Sequence, residues 1–262
     1  MTKDMENQVV LVAAGSKGLG FGVAEACAKK GANVVIGSRS QENIDAALEK
    51  LAAHGGTHHG ALLDATSKDS IDAWVQTGLE KHGRIDGLLI NAGGPPAGQF
   101  DDFDEQAWYD AFELTLMSAV RMIHAALPTM REQKKGSILT ISSSSVKEPI
   151  DVLLLSNVMR SGVTSLAKSL SKSVAKDGIR VNNLVPGTIY TDRIVSLNNH
   201  RAEKAGKTSD EIKANAESLI PMGRYGKPEE FGEAGAFLLS DAASYISGAT
   251  LMVDGALSRT VW

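Results

Sequence analysis

The octapeptide Ala13-Ala14-Gly15-Ser16-Lys17-Gly18-Leu19-Gly20 stands between an apolar run and a helical stripe of Val23, Ala24, Cys27 and Ala28. Small residues in a strand-to-helix turn let the main chain approach a pyrophosphate, and the helix beyond offers unpaired N–H groups with a partial positive charge. That is dinucleotide-binding chemistry, although a tight structural turn has the same composition. About 20 residues past such a turn, NAD-type sites place an acid on the ribose hydroxyls. Here the chain reads Ser38-Arg39-Ser40, with no acid before Glu42. Arg39 and Lys17 together suit a dianionic 2′-phosphate through charge-assisted hydrogen bonds, so the expected cofactor is NADP(H). If the two are solvated surface cations, NAD(H) binds as well.

Positioning such a turn takes a sheet whose strand ends gather along one edge. β-Branched and leucine-rich runs at 9–13, 33–38, 60–63, 87–91, 136–142, 179–185 and 250–253 alternate with amphipathic stretches near 18–30, 41–54, 67–82, 104–133, 152–177, 209–219 and 228–240. This alternation predicts one α/β Rossmann domain over 1–262, a doubly wound parallel sheet of about seven strands with helices on both faces. The 262 residues are 43% hydrophobic and 22% charged, an ordinary globular composition. With 27 Lys+Arg against 31 Asp+Glu the net charge is −4, without the electropositive footprint that nucleic acid or an anionic membrane demands. The polar start from Met1 to Asn7, the short apolar runs and the single Cys27 lead to the expectation of a cytoplasmic protein without export signal, anchor or disulfide.

From the glycine turn onward the sequence resembles the short-chain dehydrogenase/reductase family over nearly the whole chain. The family's Thr-Gly-x-x-x-Gly-x-Gly turn falls on Ala13 to Gly20. Gly18 and Gly20 match, Ala13 and Ala14 replace the Thr and first Gly, and Gly15 is expected to supply the φ freedom instead. The family's Asn-Asn-Ala-Gly reads Ile90-Asn91-Ala92-Gly93, and its adenine-facing Asp is Asp64, followed by Ala65. Its Pro-Gly and downstream Thr are Pro186, Gly187 and Thr191, with Ile189 between them, and its terminal turn is Asp254-Gly255. The resemblance implies that Gly15 to Gly20, Ser38, Arg39, Asp64, Ala65, Asn91, Ala92, Gly93, Arg160, Pro186, Gly187, Ile189 and Thr191 hold the cofactor. It also implies a homotetramer or homodimer built on the helices at 104–133 and 152–177, and a substrate lid at 192–221.

Family enzymes pass hydride from nicotinamide C4 to a carbonyl. A Tyr donates the proton, a Lys four residues later lowers that Tyr's pKa, a Ser holds the carbonyl oxygen and an Asn supports a water relay. Ser143 stands at the Ser position and Thr115 at the Asn position. In place of Tyr-x-x-x-Lys the chain reads Ser156-Asn157-Val158-Met159-Arg160, and 161–170 aligns beyond it without a gap. The four tyrosines are followed four places on by Glu113, Ile194, Glu229 and Ala249, so the pair exists nowhere in the chain.

Ser156 and Arg160, one helical turn apart, are expected to point together toward the cofactor. Arg160 can take ribose hydroxyls, but with a pKa above about 12 it cannot shuttle a proton, and a serine hydroxyl is too weak an acid. Losing a positioned general acid typically costs about 10²–10⁴ in rate, roughly 3–5 kcal/mol. Two routes stay open. One is an acceptor needing less help, such as a conjugated enone or iminium. The other is Lys147, on the family's substrate-pocket loop, stabilising an oxyanion or holding a carboxylate, unless it is an exposed lysine paired with Glu148.

His54, His58 and His59 lie in a flexible glycine-rich connection without accompanying carboxylates and are not read as a metal site. His124 is read as a packed or interface residue, and Met117, Met122 and Met130 as core or subunit contacts. The leading expectation is an atypical NADP(H)-dependent oxidoreductase, nearest the 3-oxoacyl-acyl-carrier-protein reductase-like members, acting on a small carbonyl, enone or imine. The other is a catalytically silent dinucleotide-binding sensor or partner subunit.

Overall fold

Strand β1 (Val9–Ala13) is buried along its whole length and serves two cores. Val10 and Val12 join Val23, Ile44 and Phe231 on one side, while Val9, Leu11 and Ala13 join Ile71, Trp74, Met122 and Val163 on the other. A strand apolar on both faces belongs mid-sheet, and β1 pairs in parallel with both β2 (Asn33–Ser38) and β4 (Gly87–Ile90). This computed structural model describes residues 4–261, so the reading of the polar start falls partly, at Met1 to Lys3, outside the described residues. With β3 (His59–Leu62), β5 (Gly136–Ile141), β6 (Ile179–Pro186) and β7 (Thr250–Val253) the sheet has the order β3-β2-β1-β4-β5-β6-β7, every pair parallel.

The helices are α1 (Gly18–Lys29), α2 (Gln41–Ala52), α3 (Lys68–His82), α4 (Glu105–Ala111), α5 (Ser118–Gln133), α6 (Leu154–Val174), α7 (Asp192–Ala205), α8 (Ser209–Ser218) and α9 (Pro228–Leu239). Residues of α1, α2 and α9 fill the first core, and those of α3, α5 and α6 the second. The chain leaves β1 through β2 and β3 and returns to β4 on β1's other side. The order of strands therefore reverses between β1 and β4, and ligands of such sheets sit at the carboxyl ends there. α1 is seated against α9 at backbone contact: a Cβ on Gly232 would lie 2.2 Å from the Gly22 carbonyl oxygen.

The predicted strands at 9–13, 33–38 and 250–253 are found as expected, and the other four differ by one residue at one or both ends. Three readings are corrected. The helix expected over 104–133 is divided by a π-helical segment, Phe112–Met117, whose wider i→i+5 winding a 3.6-residue period does not register. Within the polar stretch 192–221 the helix expected near 209–219 is found as α8, but α7 before it was not expected; it buries only Asn198 and Ala202, a stripe too thin to read from its pattern. The segment 55–60 is tied to the sheet: His58 Nδ1 accepts from the Val34 N–H at 3.1 Å and Gly60 lies within β3. Of the two readings of His124, packed or interface, packing within the chain is not found, since it is exposed, while Met122 and Met130 are fully buried. No described helix is long and apolar enough to cross a membrane.

Candidate cofactor and active site

The turn after β1 is wound by Ala14 at φ +48° and Gly18 at φ +58°. Gly15 does not take a positive φ, contrary to the expectation that it would; its smallness is needed for space, since a Cβ there would lie 2.8 Å from Val12 Cγ1. At the head of α1, Lys17 is extended and gives no side-chain cap, and the first turn holds no acid. The helix's first N–H groups and its positive pole are thus left open.

A Cβ on Gly20 would fall 2.2 Å from the Ala14 carbonyl oxygen and 3.2 Å from Asn91 Nδ2, and one on Gly18 would fall 3.7 Å from Thr191 Cγ2. The ends of β1, β4 and β6 therefore meet around one small-residue cradle. The uncapped amides and missing side-chain volume fit a pyrophosphate. Leu19 packs back onto the core. Ser16 Oγ and Ser38 Oγ, 2.8 Å apart, tie the turn to the end of β2. Beside them Lys17 and Arg39 are exposed, and neither forms an ion pair among the described residues.

Past β3, Asp64 Oδ1 accepts from both the N–H (2.9 Å) and the hydroxyl (2.7 Å) of Thr66. These hydrogen bonds hold its pKa below the usual carboxylate value, with a smaller contribution from the Arg39 charge. Ala65 is half-buried next to it, and Ala92 and Gly93 continue from Asn91 at the end of β4. The Gly187 N–H bonds the Val253 carbonyl at 2.9 Å, and Asp254 lies 2.6 Å from the place a Gly187 Cβ would take, so Pro186 and Gly187 are backed by the terminal turn. Ile189 is buried. Its flanks bond Gly226 through the Tyr190 N–H and the Thr188 carbonyl, which leaves Ile189's own N–H and C=O without a partner among the described residues.

Ser143 lies just beyond β5, where its Oγ accepts from the Ser145 N–H at 3.2 Å, leaving its own proton free to donate. Arg160 donates through Nε to Ser156 Oγ at 3.2 Å and through one terminal nitrogen to the Ile141 carbonyl at 3.0 Å. Ser156 and Arg160 thus face together, as their spacing predicts, at the strand end that leads to Ser143. Burial, and behind it the charge of Arg193, push the Arg160 pKa down to about 10. That corrects the expectation of a value above 12, yet the group is still a cation at neutral pH. Thr115 lies in the π-helical segment, buried, with no partner for its hydroxyl oxygen; such segments recur at functional sites.

Lys147 is half-buried and forms no ion pair among the described residues, and Glu148 instead accepts from the Arg259 N–H at 2.9 Å, so the expected Lys147–Glu148 pair does not form. The tyrosines are engaged elsewhere. Tyr225 is buried with its hydroxyl accepting from Asn198, Tyr190 lies under Lys213, and Tyr109 and Tyr245 are exposed. Sequence reasoning passed over Arg193, exposed in the first turn of α7, whose terminal nitrogens lie 3.1 and 3.2 Å from the place a Gly94 Cβ would take. Nothing in the polar pattern of 192–221 distinguishes it from its charged neighbours. A cavity of about 400 Å³ lined by Gln8, Asp86 and Arg180 opens at the amino ends of the strands, the wrong end for a dinucleotide.

A family model described as "Enoyl-(Acyl carrier protein) reductase" matches residues 13–258. The chain is 33% identical over 253 residues to the 3-oxoacyl-(acyl-carrier-protein) reductase of Chlamydia trachomatis serovar D, covering 96% of this chain and 98% of that one. Among solved structures it superposes on L-sorbose reductase from Gluconobacter frateurii complexed with NADPH and L-sorbose, at a TM-score of 0.95 and 27% identity over 100% of both chains. An NADPH-dependent reductase involved in bacilysin biosynthesis gives a TM-score of 0.92 at 26% identity, covering 97% of this chain and 99% of the other. With its glycine turn, strand order and carboxyl-edge landmarks in this common arrangement, the chain belongs to the short-chain dehydrogenase/reductase family of oxidoreductases.

Proposed function

We propose that this protein is an NADP(H)-dependent oxidoreductase that reduces a small carbonyl, enone or imine substrate by an atypical route, without the family's Tyr–Lys acid. The observation carrying the cofactor is the uncapped head of α1, meeting Asn91 and Thr191 with Lys17 and Arg39 unpaired beside it. NADPH complexes among the structural neighbours support the same choice. In this reading Gly15 to Gly20 hold the pyrophosphate and Lys17, Ser38 and Arg39 the 2′-phosphate. Asp64 and Ala65 flank the adenine. Asn91, Ala92 and Gly93 line the ribose path, and Pro186, Gly187, Ile189 and Thr191 seat the carboxamide end. Bound there, the reduced nicotinamide supplies a hydride to an electrophilic carbon.

The chain's own part follows from its hydrogen bonds. Ser143 holds the acceptor oxygen by a hydrogen bond from its free O–H, Thr115 holds a water with its orphaned hydroxyl, and Arg160 fixes the ribose side from its bonds to Ser156 and Ile141. None of these groups is an acid that gives up a proton at neutral pH. The favoured substrates are those in which hydride addition forms a delocalised enolate, later protonated on carbon by water, or cancels the charge of an iminium. Residues 192–221 act as the lid, and the exposed Tyr109 and Val158 on α4 and α6 lie on the helices assigned to contact a second copy.

The test titrates the pure protein with NADPH and NADH, then follows NADPH oxidation over ketones, enones and imines. Tight NADPH binding with enone or imine turnover at least tenfold above that of ketones is the expected result. NADPH binding with no turnover of any member favours the silent dinucleotide-binding reading, which the missing phenol supports. No binding of either nucleotide overturns both.

A further inference from the structure

We propose that the substrate carries an anionic group, a carboxylate on the reducible framework, held by Arg193 of the lid segment together with the spare donors of Arg160. This rests on the oxidoreductase reading above and names the substrate class for the same site.

The chain as a whole is acidic, with 31 Asp+Glu against 27 Lys+Arg, yet at the carboxyl ends of β4 and β5 Arg160 and Arg193 form no ion pair among the described residues. Arg160 spends Nε on a hydroxyl and one terminal nitrogen on a carbonyl, both neutral. Its second terminal nitrogen has no partner among the described residues. Arg193 is exposed, lies over Gly94, forms no ion pair among the described residues, and stands close enough for its charge to act on Arg160. The nearest carboxylate along the β5 loop, Glu148, is turned away onto the Arg259 N–H.

Both guanidiniums are cations at neutral pH, and an anion bound between two neighbouring like charges relieves the repulsion that Arg193 exerts on Arg160. The cofactor's phosphates do not account for them, because the head of α1, Lys17 and Arg39 already serve those groups at the β1–β2 side. A carboxylate matches the planar fork of a guanidinium through two charge-assisted bonds. Gly94 keeps the space under that fork clear, since any Cβ there would meet it at 3.1 Å. Arg193 belongs to α7, so an anion bound by it also draws the lid segment onto the sheet edge.

The experiment compares trans-4-oxo-2-pentenoate and 4-oxo-4-phenyl-2-butenoate with their methyl esters, which keep the conjugated enone and remove the charge. Binding of each to the protein–NADP⁺ complex is measured by calorimetry, and NADPH oxidation is followed alongside. The wild type is expected to bind the acids at least tenfold more tightly than the esters. Arg193→Met should remove that preference, Arg193→Lys should restore part of it, and the Kd for NADPH should stay within threefold of wild type in both. Esters bound as tightly as acids overturn the proposal. So does an Arg193→Met variant that loses NADPH affinity instead, or a preference abolished by Lys147→Met and not by Arg193→Met. The two readings fail separately. Acid binding that depends on Arg193 without any NADPH oxidation leaves the anion site standing and sinks the reductase. Oxidation with neutral enones and no acid binding does the reverse.

Discussion

Gly20→Ala tests the cofactor cradle most directly. The new Cβ would stand 2.2 Å from the Ala14 carbonyl oxygen, and a comfortable carbon–oxygen contact needs about 3.2 Å, so something must yield by about 1 Å. Ala14 has little freedom to turn its carbonyl aside, because it already holds φ +48°, a region that disfavours a side chain. Nor can α1 back away, since Gly22 and Gly232 put it in backbone contact with α9. The displacement therefore falls on the turn and on the first amides of α1. Hydrogen bonds to a charged group contribute about 1.5–3 kcal/mol each. Misplacing two of them costs roughly 3–6 kcal/mol, or about 10²–10⁴ in NADPH affinity at 1.4 kcal/mol per decade. Calorimetric titration of wild type and variant reads this, with circular dichroism as the control for folding. A folded variant whose Kd for NADPH stays within threefold of wild type would refute the reasoning.

Three further outcomes are expected. Ser156→Tyr combined with Arg160→Lys should raise simple ketone reduction by about 10²–10⁴, the usual worth of a positioned acid, read as kcat/KM on a ketone panel; no gain would show the pocket to lack more than its phenol. Ala14→Gly should raise Tm by about 1–3 °C, because relief of the left-handed φ, roughly 1–2 kcal/mol, exceeds the added chain entropy of about 0.5–1 kcal/mol. For Glu230, the Arg224 guanidinium and the Lys227 N–H hold the carboxyl down to about 2. A depressed folded value stabilises above the unfolded pKa and is lost as pH falls through the folded one, so Tm should drop between pH 4.5 and 2. The group is exposed, which limits the effect to about 1 kcal/mol; Glu230→Gln should flatten that part of the pH profile in a differential scanning measurement.

What could be read from the amino acids, and what could not, divides along physical lines. β1 was legible to the residue because a central parallel strand must be apolar on both faces, and the glycine turn was legible because backbone proximity excludes side chains. The same turn misled at Gly15: glycine marks both a need for positive φ and a need for space, and composition does not separate the two. Ser156 and Arg160 were placed together by helical spacing alone. Thr115 was placed by resemblance, but its π-helical setting was invisible because one extra residue per turn leaves the apolar pattern nearly unchanged. Arg193 was missed for a different reason. A polar helix with two buried residues gives little phase from which to tell which cation lies toward the sheet edge, and Arg193 is itself exposed, so only the packing of α7 over Gly94 reveals it.

The identity of the residue at 160 follows from the same energetics. A fall from the ordinary guanidinium value to about 10 means that the charged form is disfavoured by roughly 3 kcal/mol in the folded chain. Since Arg160 is charged in both folded and unfolded states at neutral pH, that cost is carried throughout the neutral range and lifts only as pH rises past about 10. The bonds to Ser156 Oγ and the Ile141 carbonyl offset part of it. A lysine in the same surroundings would be pushed down in the same way from a lower starting value, near 10.4, and so lie nearer to neutral pH. In enzymes that keep the phenol a titratable lysine is useful, because it couples to the proton that the phenol donates. Without the phenol there is no proton to share, and on the proposed reading, in which the site holds ribose oxygens and an anionic substrate, a cation that stays charged throughout the neutral range serves better.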